Sequence, residues 1–112
     1  MDCLFCKIIN GEIPSEKVFE NDKVYAFYDI APQAPVHVVV VPKAHIESAN
    51  EITPENSQAV SDVFCAIPEI AQMLGIAKDG YRVVNNCGKN AGQTVFHIHF
   101  HILGGDIGGK MY

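Results

Sequence analysis

The chain has 112 residues and a formal net charge of −5, with 8 Lys and Arg against 13 Asp and Glu. This length fits one domain, which we expect to span residues 1–112. The few basic residues are scattered, which argues against binding of long nucleic acid, although a small phosphorylated ligand needs only a local cluster of donors. The longest apolar run, residues 38–41, is too short to cross a membrane, and the N-terminus lacks the features of a signal peptide. We therefore expect a cytoplasmic globular protein with no membrane partner.

The first half of the chain has the pattern of a short helix followed by three strands. Residues 3–10 predict the helix, and residues 18–20 and 24–28 predict a hairpin. After a proline-containing loop, residues 36–41 predict a strand that Pro42 ends. The centre of this strand is apolar without alternation, so we expect both of its faces to be covered.

The second half begins with a long helical pattern. Thr53 is the expected N-cap and Pro54 the first helical residue, and Gly75 is the expected stop. Pro68 lies inside this segment and is expected to kink or split it. The apolar spacing places Cys65 in the core.

Two further strands follow, over residues 81–85 and 94–103, separated by a polar loop over residues 86–93. The Gly-rich tail, residues 104–112, is expected to be a surface extension. About five strands joined by short turns, with one long and one short helix, predict an α+β fold built on a mainly antiparallel sheet.

The last predicted strand carries three of the five histidines. Since side chains on a strand alternate, His97, His99 and His101 share one face, and the apolar residues between them share the other. A half-buried strand that uses His as its polar residue is one interpretation. A metal held by all three is a second, but the outer two would lie about 13 Å apart, too far for one ion. Catalysis is the third and is favoured, because neutral imidazole is a nucleophile or base near neutral pH.

The C-x-x-C spacing of Cys3 and Cys6 suggests metal or redox chemistry. The pair lies far from a thioredoxin-type strand–helix context, so a metal is favoured over a redox function; the two residues could also be small apolar positions on a short helix. Two cysteines leave a tetrahedral zinc two ligands short. His45, near the end of a strand, is a candidate third ligand, and His97 is a possible fourth.

The run His97-Ile98-His99-Phe100-His101-Ile102-Leu103 resembles the histidine triad family of nucleotide-binding proteins. The resemblance covers nearly the whole chain and is closest to the purine nucleoside phosphoramidase branch. It extends to His37 and to the segments 5–9, 13–14, 27–30, 32–35, 41–43, 45–46, 92–93 and 103–105.

The resemblance implies a hydrolase that cleaves at the α-phosphate of purine nucleoside 5′-phosphoramidates or related adducts, without a catalytic metal. His99 would form a covalent nucleotidyl intermediate, His101 would donate to the phosphate, and His37 would complete the catalytic cluster. The implied nucleotide contacts are Asn86, Gly92, Gln93 and Thr94 at the phosphate, Asp29 at the ribose, and Phe5, Ile8, Phe27 and Ile30 at the base, with Leu4 nearby.

Several of these residues also have ordinary structural interpretations. Taken singly, Asn86 would fit a turn, Phe5 and Phe27 a core, and Asp29 a loop cap; their joint spacing favours the nucleotide site. Thr94 stands where well-known members of the branch have Ser, and its extra methyl group is expected to narrow the leaving-group side.

The resemblance further implies a structural zinc held by Cys3, Cys6, His45 and His97, and a homodimer in which two sheets join. The helix after Pro54 and the strand at residues 81–85 are the expected contact. Two other functions stay open: hydrolysis of dinucleoside polyphosphates, and nucleotide-responsive binding in which catalysis is incidental.

Overall fold

A short helix, α1, spans Leu4–Ile9 close to the start of the chain. Cys3 is its N-cap and its Sγ accepts the Cys6 N–H at 3.4 Å. Gly11, just after the helix, has a φ of +80°, a conformation that glycine adopts without strain. The structure is a computed structural model that describes residues 3–107, so residues 108–112 of the expected surface tail lie outside it.

Five strands form one sheet. They are β1 (Lys17–Glu20), β2 (Val24–Tyr28), β3 (Val36–Pro42), β4 (Tyr81–Val84) and β5 (Phe100–Gly104). Their order is β1-β2-β3-β5-β4, and every pair is antiparallel. The α+β fold with a mainly antiparallel sheet is therefore confirmed. Because β5 lies between β3 and β4, it is an interior strand, and β4 is at an edge of the sheet within the described residues.

The central strand β3 is covered on both faces, as its unbroken apolar run predicts. Val38 and Val40 belong to the core beneath the long helix, α2 (Gln58–Met73). Val39 and Val41 point the other way, into a second apolar cluster beneath α1. The sheet therefore presents α1 and α2 on opposite faces, and His101, which is paired with Val39, faces the α1 side.

The start of the long helix was predicted four residues too early. Thr53 is not its N-cap and Pro54 is not its first residue: α2 begins at Gln58 after a turn. Asn56 explains the difference, because its side chain accepts the Thr53 N–H at 2.7 Å and donates to the Glu51 carbonyl at 3.0 Å. Such local bonds offer the backbone an alternative to the helix.

Two other expectations for this helix need correction. Pro68 does not split α2, which is continuous to Met73; Pro68 is exposed, while Val63, Ile67 and Ile70 pack on the sheet and hold the helix in place. Cys65 is exposed and not in the core, because it lies outside this buried stripe. The stop at Gly75 is confirmed by its φ of +75°.

The predicted strand over residues 94–103 is only half formed, since β5 begins at Phe100. His97 and His99 therefore lie outside the strand. The alternation survives, because Ile98, Phe100 and Ile102 are all buried in the core beneath α2. The Ile98 N–H donates to the Ile46 carbonyl at 2.6 Å. Because Ile46 lies beyond the end of β3, this bond directs the segment around Ile98 away from pairing with β3.

The strand predicted over residues 81–85 ends one residue early, at Val84, and Gly104, the first residue of the expected tail, closes β5. None of the helices within residues 3–107 combines the length and apolar character needed to traverse a lipid bilayer.

Candidate active site and metal centre

The three histidines of the run face different partners. His97 faces Cys3, Cys6 and His45, whereas His101 faces His37. The ring of His99 lies between the two groups, with its centroid 5.1 Å from that of His101 and 4.9 Å from that of Phe5. The common face predicted for the three imidazoles is thus divided between two clusters.

One nitrogen of His97 is fixed by the backbone. Its Nε2 lies 2.7 Å from the Pro42 carbonyl oxygen, which can only accept, so Nε2 carries the proton. The lone pair is left on Nδ1, which lies 3.4 Å from the Cys3 Sγ, 3.6 Å from the Cys6 Sγ and 3.3 Å from the His45 Nδ1. His97 is fully buried, so its hydrogen bonding is set by these neighbours alone.

These four side chains fit a tetrahedral metal ion. Zinc bound to sulfur at about 2.3 Å and to nitrogen at about 2.0–2.1 Å separates its ligand atoms by roughly 3.3–3.8 Å. The distances around His97, together with 3.5 Å between the Cys6 Sγ and the His45 Nδ1, match that range. The four residues offer one ligand atom each, all within 4.8 Å of one another.

The chemistry of this donor set also favours a cation. Burial and the neighbouring Cys3 thiol raise the pKa of Cys6 to about 11 when no metal is bound. Two sulfur atoms and two imidazole nitrogens that point their lone pairs at one spot repel one another unless a positive charge lies between them. Cys3, Cys6, His45 and His97 can therefore hold a metal ion and are compatible with structural zinc.

The next histidine has the opposite ring nitrogen available. His99 Nδ1 donates to the His97 carbonyl at 2.8 Å, so the lone pair of His99 is on Nε2. Burial lowers the pKa of His99 and keeps the ring neutral near physiological pH. A neutral imidazole with one fixed N–H and one bare nitrogen is arranged as a nucleophile.

A chain of hydrogen bonds sets the proton on His101. The Gln33 N–H donates to His37 Nδ1 at 3.0 Å, so the proton of His37 is on Nε2, which donates to His101 Nδ1 at 2.9 Å. His101 therefore carries its own proton on Nε2. Burial, with the nearby His99 and His37 rings, lowers the pKa of His101 to about 4.

Asp29 joins this pair, with its Oδ2 3.5 Å from His37 Nε2. Asp29, His37 and His101 also come close enough to suggest a second metal group. The hydrogen bond from Gln33 argues against one, because His37 Nε2 must keep its proton while Nδ1 accepts an N–H. This cluster is better suited to holding a proton than a cation.

Of the residues expected at the base, Phe5 packs against the His99 ring. Phe5, Ile8 and Phe27 are buried together in the cluster beneath α1, and the Phe5 and Phe27 rings are 5.6 Å apart. Ile30 is fully exposed, and Asp29 Oδ1 accepts the Ala31 N–H at 2.8 Å, the loop cap that its sequence also allows. The apolar wall and the carboxylate are thus on the same side of the sheet as His99.

The expected phosphate loop is held by its own hydrogen bonds. The N–H groups of Gly92 and Gln93 donate to the Lys89 and Gly88 carbonyls. The Gln93 side chain is buried; it accepts the Gly88 N–H at 2.8 Å and donates to the Glu47 and Val95 carbonyls at 2.8 and 3.1 Å. Gln93 therefore shapes the loop, which its position in the sequence could not reveal.

Asn86 and Thr94, the other two polar residues expected at the phosphate, lie in different surroundings. Asn86 lines a cavity of about 150 Å³ together with His37 and His101, and Thr94 is exposed. The sequence interpretation missed Asn85, whose side chain donates to the His99 carbonyl at 2.9 Å. Its place at a strand end next to a second Asn was the available signal.

Comparison with known proteins agrees with this geometry. The family model described as the HIT domain matches residues 10–108. The purine nucleoside phosphoramidase of Escherichia coli strain K12 is 44% identical over 110 residues, which cover 98% of this chain and 92% of that protein. An uncharacterised HIT-like protein of Helicobacter pylori strain 26695 is 51% identical over 104 residues, covering 92% and 96% of the two chains.

A solved structure extends the similarity to three dimensions. The HIT family hydrolase from Clostridium thermocellum superposes with a TM-score of 0.95 at 50% identity, covering 99% of this chain and 97% of that one. By sequence and by structure, this chain belongs to the HIT family, the histidine triad proteins.

Proposed function

We propose that this protein hydrolyses purine nucleoside 5′-phosphoramidates and related nucleotide adducts through a nucleotidyl intermediate on His99. One observation carries the proposal: neighbouring rings hold complementary protonation states, with a lone pair on His99 Nε2 and a proton on His101 Nε2. The relationship to a phosphoramidase that is 44% identical supports the substrate class.

In the first step, His99 Nε2 attacks the α-phosphorus and the bond from phosphorus to the leaving nitrogen breaks. The amine departs with that electron pair and takes a proton from water, while the His101 N–H donates to a phosphate oxygen. Positive charge develops on the His99 ring, where the Nδ1–H bond to the His97 carbonyl stabilises it.

In the second step, water attacks phosphorus from the side that the amine vacated. The bond from phosphorus to Nε2 breaks, its electron pair returns to His99, and the mononucleotide leaves as the water proton passes to solvent. His37 keeps His101 in one tautomer throughout, because its own Nδ1 is occupied by Gln33.

We place the purine against Phe5, Ile8, Phe27 and Ile30, and the ribose hydroxyls at Asp29. A carboxylate has enough lone pairs to accept from both hydroxyls while one oxygen also accepts the Ala31 N–H. For the phosphate we propose Asn86, Gly92, Gln93 and Thr94, with Gln93 acting by holding the loop. Thr94 is the exposed member of this set.

The metal in the four-residue centre is proposed to be structural zinc. When bound, it would have four protein ligands and no open position for substrate, so it would supply crosslinking and no chemistry. Cys3 and Cys6 would hold α1 to the segment that contains His97, whose carbonyl orients His99. We propose no catalytic metal.

A homodimer is the proposed assembly. Strand β4 is at the edge of the sheet formed by the described residues, where pairing with a second copy would extend the sheet. On α2, the apolar side chain of Phe64, which packs beside Phe100, is 47% exposed and would be covered by a partner. Sedimentation equilibrium should give twice the mass of the chain, and a monomer at micromolar concentration would refute this assembly.

The cytoplasm is the proposed location, because the residues of the metal centre need free thiols, which a reducing compartment maintains. Fractionation of cells that express the tagged protein tests this point.

Incubation with adenosine 5′-phosphoramidate tests the activity directly. The wild-type protein should release AMP, and His99→Ala should reduce turnover by at least about 1,000-fold while still binding AMP. Quenching in alkaline denaturant during the first turnover should trap an adenylyl adduct on the wild-type chain, because a phosphorus–imidazole bond survives base but is hydrolysed in acid. Undiminished turnover in His99→Ala would refute the nucleophile, and failure of the wild type on phosphoramidates but not on dinucleoside polyphosphates would refute the substrate class.

A further inference from the structure

The ladder between β4 and β5 stops just before the proposed nucleophile. Its last pair is Val84 with His101, and the same register carried further would set Asn86 opposite His99. Since His99 lies outside the strands, the ladder does not hold its backbone. A nucleophile that must approach phosphorus along one line needs another restraint at this point.

The side chain of Asn85 provides such a restraint. Its Nδ2 donates to the His99 carbonyl at 2.9 Å, and the residue is half-buried. Asn85 directly follows the last residue of β4, so its backbone is anchored by the ladder that ends at Val84. The amide thus bridges the gap between the end of the sheet and the backbone of His99.

The other contacts of His99 act on its ring. Nδ1 donates to the His97 carbonyl, and the ring packs against Phe5 and His101. These contacts set the tautomer and the tilt of the imidazole, whereas the Asn85 bond acts at the backbone end of the same residue. With both ends fixed, Nε2 has one position from which to attack.

We propose that Asn85 is a positioning residue that holds the backbone of His99 for attack on phosphorus. The proposal rests on the proposed function in that it takes His99 as the nucleophile. Because the amide bonds to the backbone and not to the reacting atoms, its removal should slow formation of the nucleotidyl-enzyme more than it weakens binding of the nucleotide.

Two variants and a matched control test the proposal. Asn85→Ala removes the amide, and Asn85→Asp keeps its shape but replaces the donor with a carboxylate oxygen. Asn90→Ala changes an exposed Asn in the same loop. With adenosine 5′-phosphoramidate, we expect kcat to fall about 10- to 100-fold in both Asn85 variants, with the Kd for AMP changed less than about threefold. The control should match the wild type.

A second measurement does not depend on turnover. Nitrogen-15 NMR of the imidazoles, above neutral pH, should show His99 of the wild type as a single Nδ1–H tautomer. In the Asn85 variants the two tautomers should exchange, because the loosened backbone lets the ring leave the His97 carbonyl. If the wild type does not hydrolyse phosphoramidates but this change appears, the proposed function fails and the positioning role stands.

The outcomes that would overturn the positioning role are distinct. Wild-type kcat and an unchanged His99 tautomer in both variants would show that the bond does not matter. An affinity for AMP that falls as much as kcat would make Asn85 a ligand-binding residue. Should Asn85→Ala not fold, the isosteric Asn85→Asp carries the test, and unfolding of both would assign Asn85 to stability alone.

Discussion

At the scale of single residues, the site depends on which ring nitrogen of each histidine is already engaged. Carbonyl oxygens engage Nε2 of His97 and Nδ1 of His99, and a backbone N–H engages Nδ1 of His37. Each engagement decides whether the other nitrogen donates or accepts, so three chemically identical rings acquire different functions. Alternation in the sequence can place His97, His99 and His101 on one face, but the Pro42 carbonyl that engages His97 comes from a position that only the fold brings near.

Gln93 gives a prediction at this scale. Gln93→Glu keeps the acceptor for the Gly88 N–H but replaces the amide that donates to two carbonyls in a buried position. We expect a loss of about 2–4 kcal/mol in the free energy of unfolding, since a buried carboxylate would face carbonyl oxygens. Urea denaturation measures it.

The matched control is Gln72→Glu, an exposed position on α2, which should change stability by less than about 0.5 kcal/mol. If the two changes proved equally mild, the Gln93 side chain would not be holding the loop, and a direct contact with phosphate would become the better account of its position.

At the scale of elements, the hydrophobic pattern of the sequence predicted the helices and strands whose apolar residues are buried. The apolar run of β3 predicts a strand covered on both faces, and Gly75 predicts the end of α2; the structure has both features. The start of α2 and the first half of the histidine strand were predicted wrongly, because local hydrogen bonds of the Asn56 side chain and of the Ile46 carbonyl redirect the backbone. Such bonds leave no periodic trace in the sequence.

Pro68 provides a test of the helix itself. It has no N–H to donate within α2, and its ring crowds the preceding turn, although its side chain is exposed. Pro68→Ala should therefore raise the free energy of unfolding by about 1–2 kcal/mol, after the added flexibility of the unfolded chain is subtracted. Thermal and urea unfolding measure the gain, with Glu69→Ala as the neighbouring exposed control. If Pro68→Ala were less stable than the wild type, the backbone of α2 at this position would be adapted to proline.

The metal centre makes a prediction for α1. A helix of six residues is too short to be stable by itself, so packing and the cysteine cluster must hold it. Native mass spectrometry should detect zinc on the wild type and none on Cys6→Ser, and amide exchange in α1 of the variant should accelerate at least about tenfold. The exposed Cys65→Ser should retain both metal and protection. A wild-type protein prepared without chelator that contains no zinc would refute the centre.

At the scale of the whole molecule, buried neutral histidines link stability to pH. The pKa of His101 is lowered to about 4 in the folded protein, from its ordinary value of 6.5, and burial lowers that of His37 in the same direction. Between these values the unfolded chain binds a proton that the folded chain does not. Stability is therefore fully present above pH 6.5 and declines as the pH falls toward 4.

Equilibrium unfolding in urea across this range measures the effect. The contribution of His101 should reach about 1.4 kcal/mol per pH unit, and one cooperative transition is expected of a single domain. His101→Gln should show a shallower decline than the wild type, and comparing the two chains cancels the contribution of proton binding at the metal centre. Identical slopes would mean that His101 is readily protonated in the folded state.

The partners of the cysteine cluster come from opposite ends of the chain. Cys6 and His97 are 91 positions apart. At a synthesis rate of about 5–20 residues per second, the two thiols emerge from the ribosome roughly 5–20 seconds before the ring that completes their site. During each round of translation they are thus open to oxidants and to competing metals, so the yield of correctly assembled protein should depend on the redox state and metal supply of the cell at the moment of synthesis, more than on conditions met afterwards.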